Sequence, residues 1–160
     1  MIDIETDNRK RALQDLRYLI KTHKGTVTPT QYLFTRRGKV LFEDEQQLGV
    51  DGVLDEAIEA GAEDVETDEE GNILVWTEPS DVTAVAEKLG KSLDLKVKSA
   101  ELIWHPNADT LAPLDSVESA KAMVDLVEAL EEAENVQGVY TNVSQGAIDE
   151  ESWSEFEGRL

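Results

Sequence analysis

The apolar residues of this chain change spacing repeatedly, and the order of those changes constrains the fold more than any other feature. Ile2 and Ile4 alternate with Asp3 and Glu5, the period of a half-buried strand. Asp7-Asn8 is a good helix cap, and Leu13, Leu16, Leu19 and Ile20 then recur at helical spacing as far as Lys21. Lys24-Gly25 stops that helix. Residues 31–35 and 39–43 are rich in strand formers on either side of Arg36-Arg37-Gly38, which predicts a hairpin. Val53, Leu54, Ala57 and Ile58 ahead of Gly61 predict a helix. Two strands follow, at 64–67 and 73–77, about a turn at 68–72. Pro79-Ser80 opens another helix with the stripe Val82, Val85, Ala86 and Leu89. Residues 95–104 form a long strand whose alternation changes phase near Ser99-Ala100, the mark of a bulge or break. After a loop from His105 to Pro113, Asp115 and Glu118 read as a capping box for a helix carrying Ala120, Met123, Val124, Val127 and Leu130. A last strand covers 136–142. The acidic stretch from Ser144 is expected to be loose, with Trp153 and Phe156 spaced to dock as a helical turn.

The order is therefore β-α-β-β, then α-β-β-α-β, then α-β. The first four elements and the last two make β-α-β-β-α-β, a ferredoxin-like split βαβ set. The class expected is α+β, with a second small α+β domain inserted into the first. The expected bounds are 1–44 plus 112–145 for the ferredoxin-like domain, 45–111 for the insert and 146–160 for an acidic tail.

Charge narrows the function. The net charge is −20, but residues 1–39 hold nine of the fifteen Lys and Arg against four acids, a net +5 that leaves −25 for the rest. A uniformly acidic protein repels nucleic acid, whereas a basic face on an acidic body can still meet phosphates and turn its acidic side to a basic protein. There is no cysteine, so disulfides, thiolate metal sites and cysteine nucleophiles are excluded. No apolar run approaches the ~20 residues that span a bilayer, so no membrane partner is expected.

Few residues offer catalytic chemistry. His23 lies at a helix end, where a cation suits the dipole, and His105 precedes Pro106 at a strand end with no triad partner to read. Glu63-Asp64, Asp68-Glu69-Glu70 and Glu131-Glu132 are chance-level carboxylate pairs in so acidic a chain. The turn with Glu66, Asp68, Glu70, Gly71 and Asn72 faintly resembles a calcium loop, yet its twelfth position is Thr77 and its flanks are strands. No glycine-rich phosphate loop is present. The expectation is a protein that is not an enzyme and uses no metal, cofactor or small-molecule substrate.

The constellation worth pursuing is cationic. Arg9, Lys10 and Arg11 begin the first helix against its dipole, and Arg17 and Lys21 share a face of it at i, i+4. Arg36, Arg37 and Lys39 sit at the expected hairpin turn. Together these predict one positive patch that contacts phosphates without reading bases, with Tyr18 and Tyr32 available to stack on unpaired bases. The competing reading is a solvated cationic face with two half-buried tyrosines.

Four stretches carry a family resemblance, in one order. They are Asp7-Asn8-Arg9-Lys10-Arg11 with Leu16-Arg17; Tyr32-Leu33-Phe34 with Arg36, Arg37 and Gly38; Ala57-Ile58-Glu59-Ala60-Gly61-Ala62-Glu63-Asp64-Val65; and Leu130-Glu131-Glu132 with Val136-Gln137-Gly138-Val139-Tyr140-Thr141-Asn142. Over residues 2–145 the chain resembles the two C-terminal domains of the YebC/PmpR-type family, which includes a mitochondrial translational activator of cytochrome oxidase. The family's basic N-terminal helical domain has no counterpart before Ile2, so the chain is read either as part of a longer protein or as a member that has lost that domain. Ala12 stands where the family usually has Thr, the loop 25–31 is shorter than in bacterial members, and 103–107 differs from their form. These departures point to an organellar, eukaryotic member in the mitochondrial matrix, with the cytoplasm as the alternative.

The resemblance implies a non-enzymatic regulator of gene expression, a translational activator that meets the ribosome or RNA. DNA is the partner in the bacterial branch, which is transcriptional. Its rival is an acidic module that docks basic proteins and touches no nucleic acid. A carboxylate hydrolase is the most distant reading.

Overall fold

A computed structural model describes all 160 residues. In chain order the elements are β1 (Ile2–Ile4), α1 (Arg9–Thr22), a 3-10 turn (Gln31–Leu33), β2 (Phe34–Glu43), α2 (Gly49–Ala60), β3 (Ala62–Thr67), β4 (Ile73–Thr77), α3 (Val82–Ser92), β5 (Lys96–Pro106), a second 3-10 turn (Ala108–Thr110), β6 (Ala112–Leu114), α4 (Val117–Glu131), β7 (Val136–Val139), β8 (Val143–Gln145) and α5 (Glu150–Glu157). The protein is α+β and forms two compact units, Met1–Thr35 with Pro106–Leu160, and Arg36–His105. The chain passes from one unit to the other inside β2 and at the end of β5, whereas the sequence placed the joins after 44 and 111. Strand patterning continues unbroken through the first point, so composition carries no mark of it, while the second falls at His105-Pro106, where the sequence opens a loop.

In the first unit β1 pairs antiparallel with β7, Ile2 opposite Val139, but this sheet has only two strands: the middle strands of the expected ferredoxin-like set are missing from it, because residues 34–43 form one strand of the second unit's sheet. The Met1 amino group donates to the Tyr140 carbonyl and Tyr140 N–H to the Met1 carbonyl, both at 2.8 Å, and extend this ribbon. α1 and α4 pack together, α1 burying Ala12 and Leu16. β6 pairs parallel with β8, Ala112 opposite Val143. The strand expected over 136–142 ends at Val139, and a separate short strand with a different partner begins at Val143.

The stretch 146–160, expected to be loose, holds α5. Asp149 caps it by accepting from Ser152 N–H at 2.9 Å, and Trp153 and Phe156 bury themselves with Ile148 against Ala120 and Val124 of α4. Two aromatic side chains in this cluster offset the ordering of a short helix. α4 is capped one residue later than expected. Ser116 accepts from Ser119 N–H at 3.1 Å, and Asp115 instead accepts from Ala147 N–H at 3.0 Å.

The second unit is a four-stranded sheet in the order β3-β4-β2-β5. Val40 and Phe42 of β2 and Ile73 and Val75 of β4 meet Val53 and Ala57 of α2 and Val85 and Leu89 of α3 in one core. All eight are fully buried, each side chain larger than alanine contributing about 1.5–3 kcal/mol. Asp44 fixes the start of α2, its carboxylate accepting from Leu48 and Gly49 N–H at 2.9 Å each.

The hairpin expected over 31–43 is absent. Residues 31–33 form the 3-10 turn, and 34–43 run as one strand through Arg36-Arg37-Gly38. Gly38 is there for space, not for turning. It is buried opposite Thr77, and a Cβ on it would stand 2.1 Å from Thr77 Oγ1 and 2.0 Å from Val82 Cγ2.

Candidate nucleic-acid interface

α1 begins at Asn8, whose side chain accepts from Arg11 N–H at 3.2 Å. It ends as the chain turns at Lys24, which has φ +61°, while Gly25 N–H donates to the Ile20 carbonyl at 2.8 Å. The left-handed residue is thus Lys24, one before the glycine. His23 stays local, its Nδ1 3.0 Å from the Leu19 carbonyl.

The apolar stripe of α1 faces the body of its unit, and the cations run beside it on the exposed side, with Arg17 at the border next to Leu13. At the helical pitch Lys10, Gln14, Arg17 and Lys21 fall within a sector of about 60° and run along about 16 Å of helix. All four are exposed, and Lys10, Arg17 and Lys21 make no ion pair in this chain. Tyr18 borders the stripe and is 75% exposed. Arg11 lies on the far side of Tyr18, 3.9 Å from Asp15, a pair exposed enough to be worth little. Arg9 is exposed in the first turn, away from the stripe. Tyr32 is 73% exposed, in the 3-10 turn of the same unit.

The other three cations stand in β2, in the second unit. Arg36 lies over the Trp104 ring at 5.3 Å from its centroid. Arg37 lies over Trp76 at 4.8 Å and its Nη2 donates to Glu63 Oε2 at 3.4 Å, with only 24% of its side chain exposed. Lys39 pairs across the sheet with Trp76 and makes no ion pair. Arg36, still exposed, and Arg37 each lie against an indole face, and only Arg37 is also paired with a carboxylate. Strand alternation foretells neither contact, because the two tryptophans are 28 residues apart and on different strands. The Trp76 indole also donates to Glu66 Oε2 at 3.2 Å, and His105 meets the same ring edge-on with centroids 5.0 Å apart.

Asp68 and Glu70, of the turn that resembled a calcium loop, are committed to internal partners. Asp68 accepts from Glu70 N–H, Asn72 N–H and the Asn72 side-chain amide, and these bonds, the amide first, hold its carboxyl below the usual range. Lys98 Nζ lies 3.0 Å from Glu70, lowers that acid and is itself raised by it. This is a hairpin turn closed by a lysine. Glu78 moves the other way, raised by sharing a hydrogen bond with Glu63.

The chain is thus an α+β protein in which the unit Arg36–His105 is inserted into the other, with exposed cations along its opening helix. The chain belongs to the family described as TACO1/YebC second and third domain, whose model matches residues 1–143. It is 37% identical over 145 residues to a probable transcriptional regulatory protein of Nitrosococcus oceani and 38% identical over 146 residues to one of Acinetobacter baylyi. Each match covers 89% of this chain and 56% of the relative, so the chain spans little more than half their length. The crystal structure of a conserved hypothetical protein from Aquifex aeolicus is similar with a TM-score of 0.75 and 30% identity, over 91% of this chain and 59% of that one.

Proposed function

We propose that the chain is the non-catalytic α+β part of a regulator of gene expression, and that α1 supplies its contact with nucleic acid. The observation that carries this is the stripe Lys10, Arg17 and Lys21, three unpaired cations in a row on a protein of net charge −20. Cations on one helix face, about 10 Å and about 6 Å apart along its axis, suit phosphates and carry no base code. The bacterial relatives named as probable transcriptional regulators support a regulatory role.

RNA is the target proposed here, at the ribosome in translational activation, and the mitochondrial matrix is the compartment. Tyr18 favours a single-stranded target, such as the loops of RNA, over duplex DNA, because a ring exposed beside a cationic stripe can stack only on a base out of its duplex. Three phosphate contacts on an acidic body bind weakly, so stacking has to supply part of the affinity. DNA is the second reading, favoured by what the bacterial relatives are called. Co-sedimentation with mitochondrial ribosomes tests the first. The wild-type protein is expected in the ribosomal pellet, and the triple variant K10E/R17E/K21E in the supernatant. A triple variant that still pellets while correctly folded removes α1 from the interface and leaves the acidic surface as the contact.

A further inference from the structure

The first unit contains a cavity of about 350 Å³ between α1, α4 and the β1–β7 ribbon, closed on one side by the loop 25–30. Its size is within the range of small-molecule sites. The wall is aliphatic, with Leu13 and Ile20 from α1 and Met123 and Leu126 from α4 among its residues, all four only partly buried. The tight apolar cluster of this unit lies elsewhere, between α4 and α5. The cavity is therefore apolar surface that the chain's own packing leaves unfilled.

Its charge is also selective. Not one of its lining residues is acidic, in a chain where 35 of 160 residues are Asp or Glu. The one charged side chain lining it is Arg17, which is exposed at the mouth and has no ion-pair partner. An aliphatic wall with a guanidinium as its one charged side chain, beside a Met1 amino group already held by the Tyr140 carbonyl, matches a molecule with an alkyl body and an anionic, planar head, which Arg binds in a two-pronged fashion.

We infer that this cavity binds a free medium-chain fatty carboxylate, its alkyl chain among Leu13, Ile20, Met123 and Leu126 and its head on Arg17. The two methionines of the chain, Met1 and Met123, both line the cavity, so methyl-labelled methionine gives two NMR signals that both report on it. Titration with decanoate below its micellar concentration is expected to shift both signals saturably. Hexanoate is expected to bind more weakly, by about fourfold for each methylene lost. Decyltrimethylammonium, with the same tail and the opposite charge, is expected to leave the signals in place. Arg17→Gln should weaken decanoate about tenfold or more, and Leu126→Trp should abolish its binding by filling the space. If Leu126→Trp loses its circular dichroism, Ile20→Trp fills the cavity from the opposite wall. Signals that do not move with decanoate, equal affinity for the decyl cation, or undiminished binding by Arg17→Gln would each overturn the assignment.

Discussion

Single residues decide several features here, and Gly38 is the sharpest case. Its neighbours Thr77 and Val82 leave no room for a methyl group, so Gly38→Ala must push apart β2, β4 and the start of α3. Overpacking of this kind costs about 1–3 kcal/mol, measurable by urea denaturation of the purified protein. At Asp149 the determinant is charge. Ser152 N–H holds its carboxyl below the usual range, so the folded pKa lies under the unfolded one. The stabilisation is present above the ordinary carboxylate range and lost as pH falls through the folded value. Acidification should therefore release α5, read as a change in Trp153 emission with Trp76 and Trp104 replaced by Phe. Asp149→Asn, which still caps but does not titrate, should flatten that change. Glu78 has the opposite sign. Its raised carboxyl contributes most at low pH, and its contribution is lost as pH rises through the folded value.

Elements differ in how openly their sequences declared them. α1 has a cap residue, an apolar stripe and a stop, each a local signal, and its helix forms where those signals put it. The pair β3 and β4 around residues 68–72 was equally plain, because Asp68, Gly71 and Asn72 are turn residues in turn positions. β2 was not. A glycine after two arginines reads as a turn, and only the neighbouring Thr77 and Val82 reveal that it is a close approach instead. α5 was legible in part: the spacing of Trp153 and Phe156 marked a docking helical turn within a stretch whose acidity reads as loose, and only Ala120 and Val124 of α4 show what they dock on. The candidate interface divides the same way. The stripe on α1 follows from helical spacing, while the engagement of Arg36 and Arg37 by tryptophans far along the chain does not. At this scale Tyr18→Ala should weaken binding to single-stranded RNA by about 1–3 kcal/mol while leaving duplex RNA nearly unaffected, as filter binding would show.

Across the whole molecule electrostatics set what the protein can bind. A body of net charge −20 repels polyanions, and the cations that remain available on α1 are too few for tight binding by charge alone. The chain matches little more than half of its curated relatives, so the affinity of a longer protein is a separate quantity from that of these two units. What these units must show on their own is a small, countable number of phosphate contacts. The salt dependence of affinity for single-stranded RNA counts them. For Lys10, Arg17 and Lys21 the slope of log K against log salt should be about −2, and it should approach zero in K10E/R17E/K21E. A triple variant with the wild-type slope and affinity would contradict the claim that α1 meets the phosphates.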